Sequence, residues 1–385
     1  MQLRRVGKAK RAHRTIHVGT PLRGFAHPAA GMPMRRGLIA RSEAELPDAA
    51  LEERLARVRA AMTQAQLDAL IVYTNNTRPA GVSWLTGFVP YWSEALLVLP
   101  RQGDPVLVVA LTYRVKTWIE RTSRVADVIH TPRIGIEAGR RIAAAKAEAA
   151  VGVVELDMLS AGIADDIRQA GPHLVVSDAS ELFAQARAPA DTAEVSLAAS
   201  ATAIALRALA QIPHDGAELG TMLAAAEAAA RQDGAEEIYL AAAPDLARDR
   251  RLRRIEGEVA RGSSFAVRAS VAYKGSWVRF TQTFGCSQAA SETATERLAV
   301  AVKGLPDARG FDGFTSWLVE GCRLTQPLEP LMGSGLGPAA LSPHTLVSAQ
   351  GCLHIEGAPV LVGAAALVGS GVLRADRATT PRSVE

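Results

Sequence analysis

The stretch "VRASVAYKGSWVRFTQTFG", residues 267–285, sets the reading of the whole chain. Two runs rich in β-branched and aromatic residues flank Lys274-Gly275, the pattern of a β-hairpin closed by a tight turn. Each run carries one arginine in its interior, Arg268 and Arg279. A guanidinium is cationic at any physiological pH. Two of them inside one hairpin therefore need either acidic partners or an anion.

Working outward, 385 residues exceed one typical core and point to two domains. Apolar residues make up 48% of the chain, which argues for burial and against general disorder. The net charge of +4 is misleading, because residues 1–41 hold ten Lys/Arg and no acid, leaving 33 basic against 39 acidic residues elsewhere. The body is mildly acidic, so nucleic acid is not an expected partner. Residues 1–42 read as a basic, disordered leader, with Met32 and Met34 as candidate starts. No apolar segment follows Arg4-Arg5, so a secretory or twin-arginine signal is not expected. Cys286, Cys322 and Cys352 are odd in number and widely spaced, so neither a disulfide framework nor a zinc knuckle is expected, and a cytoplasmic location fits. "APVLVGAAALVGSGVL" (358–373) is short and broken by glycine for a membrane span and reads as buried strand with a turn.

Between 43 and 186 helical and strand patterns alternate. Leu51, Leu55, Val58 and Met62 lie on one face of a helix over 51–66, and "LDALIVY", "ALLVLP", "PVLVVAL", "VGVVEL" and "HLVVSD" read as strands. An α/β N-terminal domain follows. "RAPADT" (187–192) marks a break and a helix start. Beyond it come two alanine-rich helices (191–211 and 216–232), the strand "EEIYLAA", an arginine-rich loop, the hairpin, two further helices and a strand-rich end over 331–373. Helices followed by antiparallel strands predict an α+β second domain over 190–375, with a tail at 376–385.

This order resembles the creatinase / Xaa-Pro aminopeptidase superfamily, whose C-terminal domain has the pita-bread fold. "RLARVRAAMTQAQLDALIVY" and "VSWLTGF" look like the opening of its N-terminal domain. "RAPADTAEVSLAASATAIALRAL" resembles its interdomain entry helix, with Glu194 kept and the lysine absent. Residues 267–285 match its "vDxGxxykGYxxDxTRTF" hairpin through Tyr273, Lys274, Gly275, Thr281, Thr283 and Phe284. "MGSGLG" (332–337) matches "GHGIG", and "HTLVSAQG" (344–351) matches "GMVxTxEPG".

The resemblance implies that peptidases of this family hold two divalent metals with two Asp, one His and two Glu, hard ligands for hard cations. In this chain those positions carry Arg268, Arg279, Ser334 and Gln350, with the last near Gly363. The segment "LARDRRLRR", where a catalytic imidazole is expected, has no histidine, and the histidine segment after "GHGIG" is cut to "PAAL". No metal and no other cofactor is therefore expected, and metallopeptidase activity is excluded.

Two readings lead, ahead of a third, a basic-arm nucleic-acid binder that would need residues 1–41 and show strong salt dependence. The first is a pseudoenzyme or a non-catalytic subunit of a heteromeric assembly, with Arg268 and Arg279 either paired with Glu356, Glu320 or Asp312, or lining an anion pocket. The family includes a histone-chaperone subunit whose peptidase-like domain binds protein. The second is a metal-free hydrolase of a small C–N compound, as in creatinase or ectoine hydrolase, using Arg268, Arg279, Ser334 and Gln350 to bind a carboxylate. Its only catalytic candidates are Cys352, His354 and Glu356, which alternate along one expected strand in a nucleophile–base–orienter order. Neighbours two apart on a strand lie roughly 6–7 Å apart, too far for direct hydrogen bonds. His214 and His344 read as turn residues. The resemblance also implies a homodimer or a heteromer with a related subunit, for which Trp84, Phe88, Tyr91 and Trp92 are the candidate contacts.

Overall fold

The central strands of the first domain are apolar on both faces because both faces are covered. The computed structural model describes residues 41–90, 92–125, 127–212, 218–336 and 341–373, so the basic head, Tyr91, His214, the "PAA" of 338–340 and the tail lie outside the described residues. Helix α1 (Asp48–Gln64) leads into β1 (Ala69–Thr74), α2 (Ala80–Thr86), β2 (Ala95–Pro100), β3 (Val106–Val109), α3 (Lys116–Thr122) and β4 (Asp127–His130). Then follow α4 (Ile134–Ala145), β5 (Ala150–Val154), α5 (Ala161–Ala170), β6 (Val175–Asp178) and α6 (Ser180–Arg187). The sheet order is β4-β3-β2-β1-β5-β6, antiparallel around β2 and parallel elsewhere. Leu70 and Val72 pack on the side of α1 and α2, while Ala69 and Ile71 pack on that of α4 and α5.

The second domain opens with α7 (Thr192–Ala210) and α8 (Leu219–Gln232), then β7 (Glu237–Ala243), β8 (Phe265–Tyr273), β9 (Ser276–Phe284) and α9 (Gln288–Lys303). It ends with β10 (Ser316–Gly321), β11 (Glu329–Gly333), β12 (Leu346–Ile355), β13 (Ala358–Leu367) and β14 (Gly371–Val372). The chain is thus an α/β N-terminal domain followed by an α+β domain, the architecture that the resemblance to the creatinase-like and pita-bread folds implies. The second helix expected after the hairpin is instead a single 3₁₀ turn, Ala308–Phe311. Pro306, Gly310 and Gly313 crowd that segment and leave no room for a longer run.

The second sheet runs β11-β10-β12-β13-β9-β8-β7, with β14 on β13. Val267, Ala269, Val271 and Val278 face α7 and α8, whereas Val347, Ala349, Val362 and Ala364 face α9. The opposite, inner face is free of helices and carries the alternate residues, including Arg268, Ser270, Arg279, Thr281, Glu320 and Gln350. Among the described residues, α7 is long and apolar enough to cross a membrane. Its buried Ala201, Ala205 and Leu209 instead belong to the core it forms with α8, β8 and β9.

Asp191 joins the domains. Its side chain caps α7 by accepting from the Glu194 amide at 2.9 Å, and it also takes both ends of the Arg54 fork from α1, at 2.5 and 2.9 Å. That explains why an arginine sits in the buried stripe of α1, where Leu51, Val58 and Met62 were expected and Arg54 was not. The Trp84 and Phe88 side chains are buried in their own domain, at 4% and 0% exposure. Of the four aromatics considered as dimer contacts, these two are covered within their own subunit. Trp92 is exposed and stacks on Trp118.

Candidate functional site

The hairpin turns through Lys274 (φ 48°) and Gly275 (φ 77°), both left-handed, as a type I′ turn requires. The buried Glu236 carboxylate accepts from both of their amides, at 2.5 and 2.9 Å, and fixes the turn. Burial pushes Glu236 up to about 7, against the lowering effect of those two amides. Tyr273 closes the same end by donating to Glu45 at 2.6 Å.

This register puts Arg268 opposite Thr281 and Arg279 opposite Ser270, so the two arginines sit diagonally on the same face. Thr281 pairs onward with Gly363, Gly363 with Gln350, and Gln350 with Leu318. The strands thus gather Arg268, Thr281, Gly363 and Gln350 into one row across the inner face.

Arg279 is fully engaged. Its Nε donates to Ser270 Oγ at 3.0 Å, its amide donates to Ser348 Oγ at 2.9 Å, and its Nη1 forms an ion pair with Glu320. Of the three acids considered from the sequence, Glu320 is the partner: its side chain is buried at 5% exposure, while that of Arg279 is 24% exposed. Arg268 has no such partner. Its Nε is buried without a hydrogen bond, and no ion pair reaches its guanidinium among the described residues. Burial and then the neighbouring Arg279 charge lower its pKa, with Glu320 opposing.

Arg268 lines two adjoining clefts. One, about 250 Å³, also takes Tyr239, Ser270, Trp277 and Arg279; the other, about 320 Å³, takes Arg250, Arg251, Thr281, Trp317 and Gln350. Every charged side chain lining either cleft is an arginine. A third cavity, about 110 Å³, lies at the domain junction beside Arg54, Trp84 and Arg187. There the cations are paired, Arg54 with Asp191 and Arg187 with Glu194.

The remaining sequence candidates separate. Gln350 joins the row and faces Thr281 Oγ1 at 3.4 Å. Ser334 does not line either cleft; its amide donates to the Trp317 carbonyl and its Oγ accepts from the Trp317 amide, both at 2.9 Å. The proposed triad is not assembled. Glu356 lies beyond β12, at φ 54° in a second left-handed turn with Gly357, and its carboxylate accepts from Ser287 Oγ at 3.1 Å. His354 is exposed and accepts from Arg250 at 3.1 Å through Nε2, while Cys352 is buried at 3% exposure. The strand alternation expected for these three fails because the chain has already turned at Glu356. Burial raises the thiols of Cys286 and Cys322, the latter to about 12, so neither is an activated nucleophile.

The residues on this face do not fit a pair of dications. Two of the five positions are cations, one is a glycine, one an amide, and one a serine already satisfied by Trp317. A Cβ at Gly363 would come within 3.0 Å of Thr281 and Gln350 side-chain atoms, so the row has closed over that position. Among the described residues no group of three or more His, Cys, Asp or Glu side chains could hold a metal ion. Sequence inspection missed the Arg54–Asp191 latch and Glu236; "EE" at 236–237 before an apolar strand was the signal available for the latter.

Residues 54–188 match the Creatinase/Prolidase N-terminal domain. No curated protein matches the chain. Among solved structures, the prolidase of Pyrococcus horikoshii is similar at 14% identity and TM-score 0.62, over 83% of this chain and 96% of its own. The X-Pro aminopeptidase of Thermotoga maritima is similar at 14% identity and TM-score 0.63, over 83% and 97%. The N-terminal domain of the FACT complex subunit SPT16 from chickpea, Cicer arietinum, is similar at 13% identity and TM-score 0.51, over 85% and 95%. At these identities the likeness establishes the fold.

Proposed function

We propose that this chain, whose N-terminal domain belongs to the creatinase/prolidase family and whose fold is that of the creatinase/Xaa-Pro peptidase superfamily, is a non-catalytic, metal-free binding protein of the cytoplasm. The observation that carries this reading is Arg279 locked to Glu320 beside an unpaired Arg268, where the resemblance implies metal-binding aspartates. A guanidinium repels a dication and cannot ligate one. The fold is shared with the SPT16 domain, a subunit of a complex, which supports a role through association. We read the working form as a homodimer or a heteromer with a related subunit, to be checked by sedimentation at micromolar concentration.

The competing reading, a metal-free hydrolase, gains from an arginine suited to a carboxylate substrate. It lacks a proton carrier, because no His, Asp or Glu lines either cleft. The test is hydrolysis of Xaa-Pro dipeptides and of longer Xaa-Pro peptides by the full chain, with Mn²⁺, Co²⁺ or Zn²⁺ supplied. No turnover above the enzyme-free blank is expected. Metal-dependent turnover that survives repurification would overturn the proposal.

A further inference from the structure

We infer that the inner face of the second domain binds a small organic carboxylate, with the acid group on Arg268 and a flat apolar body against Tyr239 and Trp277. This deepens the binding reading above and rests on it. Four observations converge on the site. Arg268 belongs to both clefts, so a group seated on it reaches into either. Its Nε is a buried donor without an acceptor among the described residues, and leaving a buried donor unmet is costly unless something supplies the missing partner.

No acid lines the cleft walls among the described residues, although Glu237 accepts from the Tyr239 hydroxyl at their edge. Arg250, Arg251, Arg268 and Arg279 are the charged side chains on the cleft walls. Asp249 neutralises Arg251 and Glu320 neutralises Arg279, but Arg250 donates only to the His354 imidazole. The clefts therefore keep an excess positive charge centred on Arg268 and Arg250. A guanidinium fork matches a planar carboxylate with two parallel hydrogen bonds.

The body of the ligand is set by the aromatic wall. Tyr239 and Trp277 stack with centroids 5.9 Å apart and an interplanar angle of 10°, and Tyr239 is 58% exposed. A large ring left in water beside a cation offers a flat platform for an apolar group. The adjoining Pro327 and Leu328 extend that surface. Clefts of about 250 and 320 Å³ admit a small molecule rather than a folded partner. Phosphate would satisfy Arg268 equally well, but it would leave the aromatic wall unused.

The experiment is calorimetric titration of the full chain with benzoate, acetate and inorganic phosphate at matched ionic strength. Benzoate is expected to bind one to one and more tightly than acetate or phosphate. Arg268→Met should weaken benzoate by roughly tenfold or more, and Arg268→Lys, which keeps the charge but loses the fork, by less. Tyr239→Ala, an exposed change, should weaken benzoate and leave acetate unchanged. The Lys and Ala variants provide the same reading if the Met variant fails to fold. Equal responses to all three anions, tighter binding of phosphate than of benzoate, or benzoate binding unaltered by the Arg268 variants would overturn the inference. Absence of any anion binding together with absence of peptidase turnover would overturn this inference alone; turnover with intact benzoate binding would overturn the non-catalytic reading instead.

Discussion

Arg268 and Arg279 stand two rungs apart on one face of one hairpin, and the protein treats them in opposite ways. Arg279 is held by Ser270, Ser348 and Glu320. Arg268 is half-buried as well but forms no ion pair among the described residues, feels Glu320 only from a distance, and its Nε has no acceptor. The first arginine is structural filling, a cation whose charge is cancelled in place. The second is an opening, a cation whose partner must come from outside. Residue type is therefore a poor guide to role here; the partner across the sheet decides it.

Reversing the charge at 279 should give the largest effect. Arg279→Asp would set a carboxylate beside the buried Glu320 in place of its cation. We expect a loss of about 3–5 kcal/mol in urea denaturation, the cost typical of breaking a buried pair. Millimolar Mn²⁺ should not restore the midpoint, since one carboxylate does not rebuild a five-residue shell. Recovery with metal would mean that the site is not closed and would erase the contrast between the two arginines.

Glu236, at the turn end of the same hairpin, is a buried acid whose hydrogen-bond partners among the described residues are two amides. Its folded pKa of about 7 lies above the ordinary 4.5, so the fold favours its protonated form. The resulting stabilisation is complete below about pH 4.5 and disappears as pH rises through 7. Wild type should accordingly lose about 2 kcal/mol relative to Glu236→Gln between pH 4.5 and 7.5. Urea midpoints at the two pH values measure this. Parallel pH curves would show that the two amides, and not desolvation, govern the group.

Smaller effects test the frame that holds the two arginines in register. Gly275→Ala imposes a Cβ at φ 77° and should cost about 1 kcal/mol in the same denaturation experiment. Arg250→Ala removes an exposed side chain bonded only to His354 and should change stability by less than about 0.5 kcal/mol. A larger loss would place Arg250 with Arg279 as filling and leave Arg268 alone in its class.

Much of the architecture was legible in the chain itself. The apolar runs at 69–74, 95–100 and 150–154 are strands because helices cover both their faces, and such runs stand out in sequence. The hairpin was equally plain, because a lysine-glycine turn between β-branched runs has few alternatives. Arg268, Arg279 and Gln350 could be placed on one face from strand alternation. The choice of Glu320 as a partner could not, since it depends on the pairing of β10 with β12, far from the hairpin in sequence. The Cys352–His354–Glu356 alignment misled because alternation says nothing about where a strand ends, and Glu356 is already in the turn. Burial of Trp84 was hidden for a related reason: aromatic content does not reveal that it packs edge-on against Phe183 within its own domain.

The contrast between the two arginines is tested most directly by one denaturation experiment on two matched variants, Arg268→Met and Arg279→Met. Methionine preserves most of the side-chain length and removes only the charge and its bonds. Arg279→Met should destabilise by about 3 kcal/mol, because it abandons the buried Glu320. Arg268→Met should instead stabilise by about 1 kcal/mol in anion-free buffer, because it removes a buried donor, Nε, that has no acceptor among the described residues. Opposite signs are the predicted result; destabilisation of equal size in both would contradict it.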